Sequence, residues 1–356
     1  FDQEGLGLDI VSAGEFRIAD SAGFPPGKIY FHGNNKSADE LRLALQQGIG
    51  RVVVDNFHEL GLLDTLAKEC GRSQDILLRL SPGVDPHTHK HVATGVLDSK
   101  FGFPISTGQA EEAVSQSAGL SGLKLIGVHF HLGSSIFETA PYLDAIEIVL
   151  EFAARMRERH NLEMQEFNIG GGFAVQYQRD APAPPVGAYA RAIASKITTV
   201  CHKLGMSQPK LVIEPGRSIV AQAGTALYTT GSTKDIPGLR KYIFVDGGMG
   251  DNIRPALYGS RYEAMVANKA DSPDTNLVTL AGRFCESGDI LIRDILLPPI
   301  EPGDILALPA AGAYSLPMAS NYNGSLRPAV VMVKDGQAHL IRRRETYEDL
   351  TRHDVT

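Results

Sequence analysis

Between residues 6 and 213, short apolar runs alternate with helix-like amphipathic segments, and this rhythm narrows the possible folds more than any other feature of the 356-residue chain. The runs fall at 6–11, 28–31, 51–54, 75–80, 124–131, 166–169 and 210–213. The helix-like segments include 38–47, 59–70, 111–118, 141–158 and 189–204. Unbroken apolar strands separated by helices specify a parallel sheet covered by helices. Seven strands are one fewer than a (β/α)8 barrel requires. Phe1 to Gly5 reads as the tail of a helix closed by a glycine cap, with a strand following at once, so one βα unit is expected before Phe1. A doubly wound, flavodoxin-like sheet is the structural rival, but seven consecutive units favour the barrel.

Past Pro215 the texture changes. Short strands at 240–246, 277–281, 305–308 and 329–334 are split by turns such as Pro298-Pro299, Glu301-Pro302-Gly303-Asp304 and Lys334-Asp335-Gly336. Helical signal is weak there, so an antiparallel β domain is expected. The α/β chain thus divides into a barrel over 1–220, lacking its first strand, and a β domain over 221–356, with the junction near 218–228.

A formal charge of -7 and the absence of a basic-aromatic stripe argue against nucleic acid as a partner. The longest arginine run, Arg342-Arg343-Arg344, is met at once by Glu345, Glu348 and Asp349. Cys70, Cys201 and Cys285 are far apart and form no CxxC pair, which fits a reducing, cytoplasmic compartment. No apolar run reaches transmembrane length, so no membrane partner is expected.

Three strand ends carry chemistry. Gly127-Val-His-Phe-His-Leu-Gly-Ser134 sets His129 and His131 on one strand face and runs into a Gly-Ser turn. Those imidazoles read first as groups lying against a cofactor ring, then as satisfied core histidines, and last as metal ligands, since a third metal ligand would have to come from another strand. Ser134 is either a helix-start serine or a phosphate donor. Gly170-Gly171-Gly172 is either a plain loop or a place where bare amides meet a phosphate. Glu214-Pro215-Gly216-Arg217 is either a turn closed by an ion pair or a carboxylate held against a protonated pyridine nitrogen. Downstream, Arg254 with Tyr258 would clamp a carboxylate. Cys285 beside Glu286 is either a small buried hydrophobe or a proton donor.

Several blocks are specific enough to name a family. Phe31-His-Gly-Asn-Asn-Lys-Ser37, Arg79-Leu-Ser-Pro-Gly-Val-Asp85, Asp98-Ser-Lys-Phe-Gly-Phe103, the 129–134 segment, Glu214 to Arg217, Asp251 to Tyr258, Cys285 to Asp289 and Arg344-Glu345-Thr346 resemble the pyridoxal phosphate (PLP)-dependent diaminopimelate decarboxylases, of the alanine racemase-like fold. The resemblance implies a homodimer of a PLP-binding (β/α)8 barrel and a β domain, with active sites shared between subunits. It implies that His131 stacks on the cofactor ring and that Glu214 meets the pyridine nitrogen. Ser134, Gly171, Gly172 and the amides of Glu214, Pro215, Gly216 and Arg217 would cradle the phosphate. Asp9, Arg79 and Tyr314 would lie around the cofactor. Arg217, Arg254, Tyr258, Glu286 and Tyr314 would grip the substrate, and Cys285 would supply the acid from the partner subunit, with no metal involved. The family's catalytic lysine, in a Tyr-x-x-Lys-Ala motif on the first barrel strand, has no counterpart in this chain and is expected upstream of Phe1. Lys36 would support the rim instead, and Lys100 a cross-subunit ion pair.

The implied reaction takes meso-2,6-diaminoheptanedioate to L-lysine and CO2, the last step of lysine biosynthesis. The rivals are a decarboxylase of ornithine, arginine or a D-amino acid on the same fold, a non-catalytic PLP carrier built from the barrel alone, and a zinc hydrolase. Arg254 speaks against a diamine-type site, whose far end would be cationic. The β domain with Cys285 and Glu286 speaks against a carrier.

Overall fold

The computed structural model describes residues 1–85 and 98–355. These form two compact units, one from Phe1–Ala174 with Pro184–Pro215 and one from Val175–Ala183 with the chain from Gly216 onward.

In the first unit, β1 (Leu8–Ile10), β2 (Ile29–Phe31), β3 (Arg51–Val54), β4 (Gln74–Ser81), β6 (Leu123–His129), β7 (Glu166–Asn168) and β8 (Lys210–Val212) pair in sequence order. Every pair is parallel, and a two-residue strand, β5 (Phe103–Pro104), adds to β4. The order never reverses, so there is no switch point and the doubly wound alternative falls. The sheet is that of a (β/α)8 barrel left open between β1 and β8, which do not pair among the described residues. Its central strands β3 and β4 are buried apart from half-buried Arg51 and Asp75 near their starts, whereas Val11 (58% exposed) and Ile213 (48%) flank the open edges.

The helices begin where side chains can satisfy free amides. α2 (Ala38–Gln47) starts with a reciprocal Ser37–Glu40 capping box and ends on Gly48 at φ 71°. α3 (Phe57–Glu69) is capped by Asn56, and α5 (Ala140–His160) ends on Asn161 at φ 54°. α1 (Ala13–Ser21), absent from the sequence expectation, is capped by Ser12 and buries only Phe16 and Ala19. With so narrow an apolar face it leaves almost no periodic signal. α4 (Gln109–Ser117) and α6 (Val186–Lys203) complete the set flanking the sheet.

The second unit is built on a six-stranded sheet ordered β11-β14-β9-β10-β12-β13. Its strands are β9 (Ala226–Ile236), β10 (Arg240–Val245), β11 (Met265–Val266), β12 (Asn276–Ala281), β13 (Ile290–Leu297) and β14 (Ile305–Leu308). Antiparallel pairing dominates as expected, but β10 and β12 run parallel. A separate hairpin of β15 (Val330–Lys334) and β16 (Gln337–Arg342) turns at Asp335 and Gly336, both at positive φ. The units divide at Pro215/Gly216 rather than at 220/221, and Val175–Ala183 belongs to the second. The physical reason is a small shared core of Val175, Ala221 and Ala313, with Tyr177 packed against it. No helix among the described residues is long and apolar enough to cross a membrane.

Candidate active site

The carboxyl ends of the parallel strands converge on Glu214. Its Oε1 accepts a 2.7 Å hydrogen bond from Asn168 Nδ2, at the end of β7. His32 Nε2, just past β2, lies 3.2 Å from the same oxygen, and His129 Nε2, the last residue of β6, lies 3.3 Å away. Both contacts are at ion-pair distance but outside hydrogen-bond alignment. Asp9 Oδ1 on β1 is 3.6 Å from His32 Nε2. The two imidazoles meet edge to face, with centroids 5.0 Å apart.

This packing sorts the charges. Burial alone would push the Glu214 carboxyl up, but the His32 charge, with the His129 ring beside it, holds it well below the usual carboxylate range. Burial would lower His32, yet the Glu214 charge and Asp9 lift it to about 9. His129 is driven down to about 3 and His131 to about 4 by burial, which Glu214 only partly offsets. At neutral pH the cluster is therefore an ionised Glu214 and a protonated His32 between neutral imidazoles.

A pH prediction follows for the cofactor-free protein. Because His32 binds its proton more tightly when folded, its contribution is complete below about pH 6.5 and is lost as pH rises through about 9. That contribution is on the order of 3 kcal/mol. Urea unfolding of wild type and His32→Gln is expected to give a stability gap that shrinks between pH 6 and pH 9.5. An equal gap at both pH values would show that His32 is not charged in the fold.

His131 lies two residues beyond β6 rather than on it, correcting the expected strand, which ends at His129. Its ring is fixed by the Gly171 amide, which donates to Nδ1 at 3.2 Å, so the remaining proton of the neutral ring sits on Nε2. The Gly171 amide is thereby taken. The glycine triplet also has a packing reason, since a Cβ on Gly171 would sit 1.9 Å from the Glu214 carbonyl and one on Gly172 2.0 Å from that of Gly133. Two further members of the expected amide cradle need correction. Pro215 has no N–H to give, and the Glu214 amide donates to the Gly170 carbonyl at 3.0 Å. The amides of Gly216 and Arg217, which open the short helix α7 (Gly216–Val220), are what that run still offers. Ser134 is half-buried in the turn after β6.

Arg79 on β4 is buried with its guanidinium carbon 4.2 Å above the Phe101 ring and Nε 3.8 Å from Asp55. Asp55 is itself held by the Gly102 amide at 2.8 Å. Lys36 is buried, and its three donors reach Glu59 Oε1 at 2.6 Å, the Gly33 carbonyl at 2.7 Å and the Val53 carbonyl at 2.8 Å. It braces the rim and has no hydrogen left to donate.

In the second unit, Arg254 opens α8 (Arg254–Tyr258) and is only 6% exposed. Its Nη1 donates to Tyr177 Oη at 2.8 Å and Tyr262 Oη at 3.1 Å, and its Nη2 to Ser260 Oγ at 3.2 Å. Tyr258, the expected partner, ends the same helix, half-buried. Arg217 Nη1 donates to Tyr177 Oη at 2.9 Å, and its guanidinium lies 4.7 Å from the Tyr314 ring. Tyr314 adopts φ 60°, a left-handed conformation costly for a bulky residue and more frequent at functional sites. Cys285 is exposed, which removes the buried-hydrophobe reading; its amide is held by Asn323 Oδ1 at 3.2 Å, and Glu286 accepts from the Tyr322 hydroxyl.

His32, Asn168, Tyr177 and Tyr262 are the site residues the sequence reading missed. His32 also supplies the third donor thought lacking beside His129, since ligand atoms of His32, His129 and Glu214 lie within 4.8 Å of one another. In this arrangement the carboxylate is already balanced by the His32 charge.

Parallel strands ending on an ionised carboxylate among imidazoles, with a glycine-rich turn alongside, suit a PLP ring, and the chain is of the PLP-dependent decarboxylase class. The family of pyridoxal-dependent decarboxylases, pyridoxal binding domain, matches residues 1–221. The diaminopimelate decarboxylase of Bacillus subtilis (strain 168) is 48% identical over 354 residues, covering 99% of this chain and 81% of its relative. The crystal structure of diaminopimelate decarboxylase from M. jannaschii in co-complex with L-lysine superposes with a TM-score of 0.92 at 34% identity, covering 99% of this chain and 80% of that one. A lysine/ornithine decarboxylase from Vibrio vulnificus, at 24% identity and TM-score 0.76 over 90% of this chain and 80% of that one, shares the fold. The chain belongs to the diaminopimelate decarboxylase family. Its reaction is the PLP-dependent decarboxylation of diaminopimelate to lysine, a carbon–carbon lyase step of lysine biosynthesis.

Proposed function

We propose that Glu214 is the group that receives the cofactor's pyridine nitrogen and that the strand ends around it form the PLP site. The observation that carries this is a carboxylate kept ionised in a buried setting, which suits a cationic N–H donor. Bound there, PLP would supply the electron sink for the carbanion left when CO2 departs. Neutral His131 would lie against the ring without repelling its positive charge, with Gly171 acting by fixing that imidazole. Ser134, Gly172, Gly216 and Arg217 would hold the phosphate, with Pro215 shaping the turn that presents the last two. Asp9, Arg79 and Tyr314 would complete the surroundings. Arg217, Arg254, Tyr258, Glu286 and Tyr314 would hold the amino-acid end of meso-diaminopimelate that does not react, so that L-lysine is released.

Cys285 would give the proton from its thiol to the carbon that has lost CO2, and being exposed it would regain that proton from water. We assign this thiol to the site of the partner subunit, in a cytoplasmic homodimer; the free state of Cys70, Cys201 and Cys285 agrees with a reducing compartment. Mixed dimers test the arrangement. A Cys285→Ala chain combined with a His131→Ala chain should regain part of the wild-type activity, because one of the composite sites would be intact. No recovery in demonstrably mixed dimers would mean that each subunit builds its own site.

A further inference from the structure

Tyr177 lies in Val175–Ala183, the segment that belongs to the second unit although the first flanks it in sequence. Its hydroxyl oxygen accepts from Arg217 Nη1 at 2.9 Å and from Arg254 Nη1 at 2.8 Å, so one neutral atom joins two guanidinium groups. Like charges brought this close call for an anion, and a phenol supplies none. Among the described residues neither arginine is ion-paired with an acid, and Nε of each is buried without a hydrogen-bond partner. With Nη1 engaged on both, Nε is left to donate on each, beside an Nη2 that on Arg254 gives one of its two hydrogens to Ser260 Oγ at 3.2 Å, and an Nε–Nη2 edge matches a carboxylate. The Tyr177 ring is held independently, edge to face with Tyr262 at 5.4 Å and beneath the Arg254 guanidinium at 5.2 Å.

We propose that Tyr177 is a specificity-determining positioning residue, whose hydroxyl fixes the spacing of Arg217 and Arg254 so that their open edges accept the carboxylate of the substrate's non-reacting end. The inference rests on the reading above that these arginines hold the substrate. Removing the hydroxyl lets the like-charged groups separate while leaving the ring packing in place. The effect therefore falls on binding of a carboxylate and not on the chemical step.

The test uses the holoenzyme and Tyr177→Phe, with rates referred to the cofactor-loaded fraction. KM for diaminopimelate should rise at least about tenfold while kcat stays within about threefold. The dissociation constant of L-lysine, which keeps the carboxylate, should rise by a similar factor. That of cadaverine, which lacks it, should not change. Unchanged lysine binding, equal weakening of lysine and cadaverine, or a fall in kcat alone would each overturn the role of Tyr177. Arg254→Ala separates the two levels of the argument. If it loses lysine while Tyr177→Phe keeps it, only the role of Tyr177 fails; if lysine binding survives in both, the assignment of the arginines fails with it.

Discussion

Glu214→Gln is expected to lose two to three orders of magnitude in kcat with a much smaller change in KM. The side chain is nearly isosteric, so the Asn168 contact and the packing against His32 and His129 can persist. What disappears is the negative charge that protonated His32 balances. A charge-assisted hydrogen bond is about twice as strong as a neutral one, and removing one preorganised electrostatic partner from an active site lowers kcat by roughly 10²–10³. His32 should respond as well, because its lift to about 9 depends first on the Glu214 charge. Steady-state kinetics checks the first effect and NMR titration of the His32 ring the second. A variant that keeps wild-type kcat, or a His32 that still titrates near 9, would remove Glu214 from the centre of the site.

For Arg254→Ala, kcat/KM for diaminopimelate should fall by two to three orders of magnitude. The guanidinium is buried and its hydroxyl partners hold it in one pose. Leaving a desolvated carboxylate without its charged partner costs about 3–5 kcal/mol. Because the substitution also deletes ties to Tyr177, Tyr262 and Ser260, a thermal midpoint should be measured beside the kinetics. Guanidinium ion added to the variant should restore part of the rate if the lost group is a carboxylate ligand, and none if the loss is only structural.

Much of this architecture was legible in the chain because buried parallel strands are continuous apolar runs with functional groups just past their ends. That logic located His129, Glu214 and the glycine triplet. His32, directly after the apolar Ile29–Phe31, obeys the same rule and went unassigned only because no partner was visible for it. The helix Ala13–Ser21 was hidden by its two buried residues, although the Ser12 and Glu15 spacing is a start signal. Strand Ile290–Leu297 was missed because exposed Arg293 and Asp294, the latter at φ 52°, interrupt its apolar run. Tyr177 was the hardest to find. It sits in a polar loop that reads as a linker, and the arginines it joins lie 40 and 77 positions away, so only the fold reveals the contact.

Substrate choice turns on whether the distal end carries a carboxylate or an ammonium, and one comparison tests that directly. CO2 release is measured for the wild-type holoenzyme with meso-diaminopimelate and with ornithine under the same conditions. A pair of guanidinium groups without acidic partners among the described residues should accept the distal carboxylate of the first and reject the distal ammonium of the second. The expected result is a kcat/KM at least about a thousandfold higher for meso-diaminopimelate, as for other sites whose buried polar groups are left unmatched by the wrong substrate. Equal turnover of the two would contradict it.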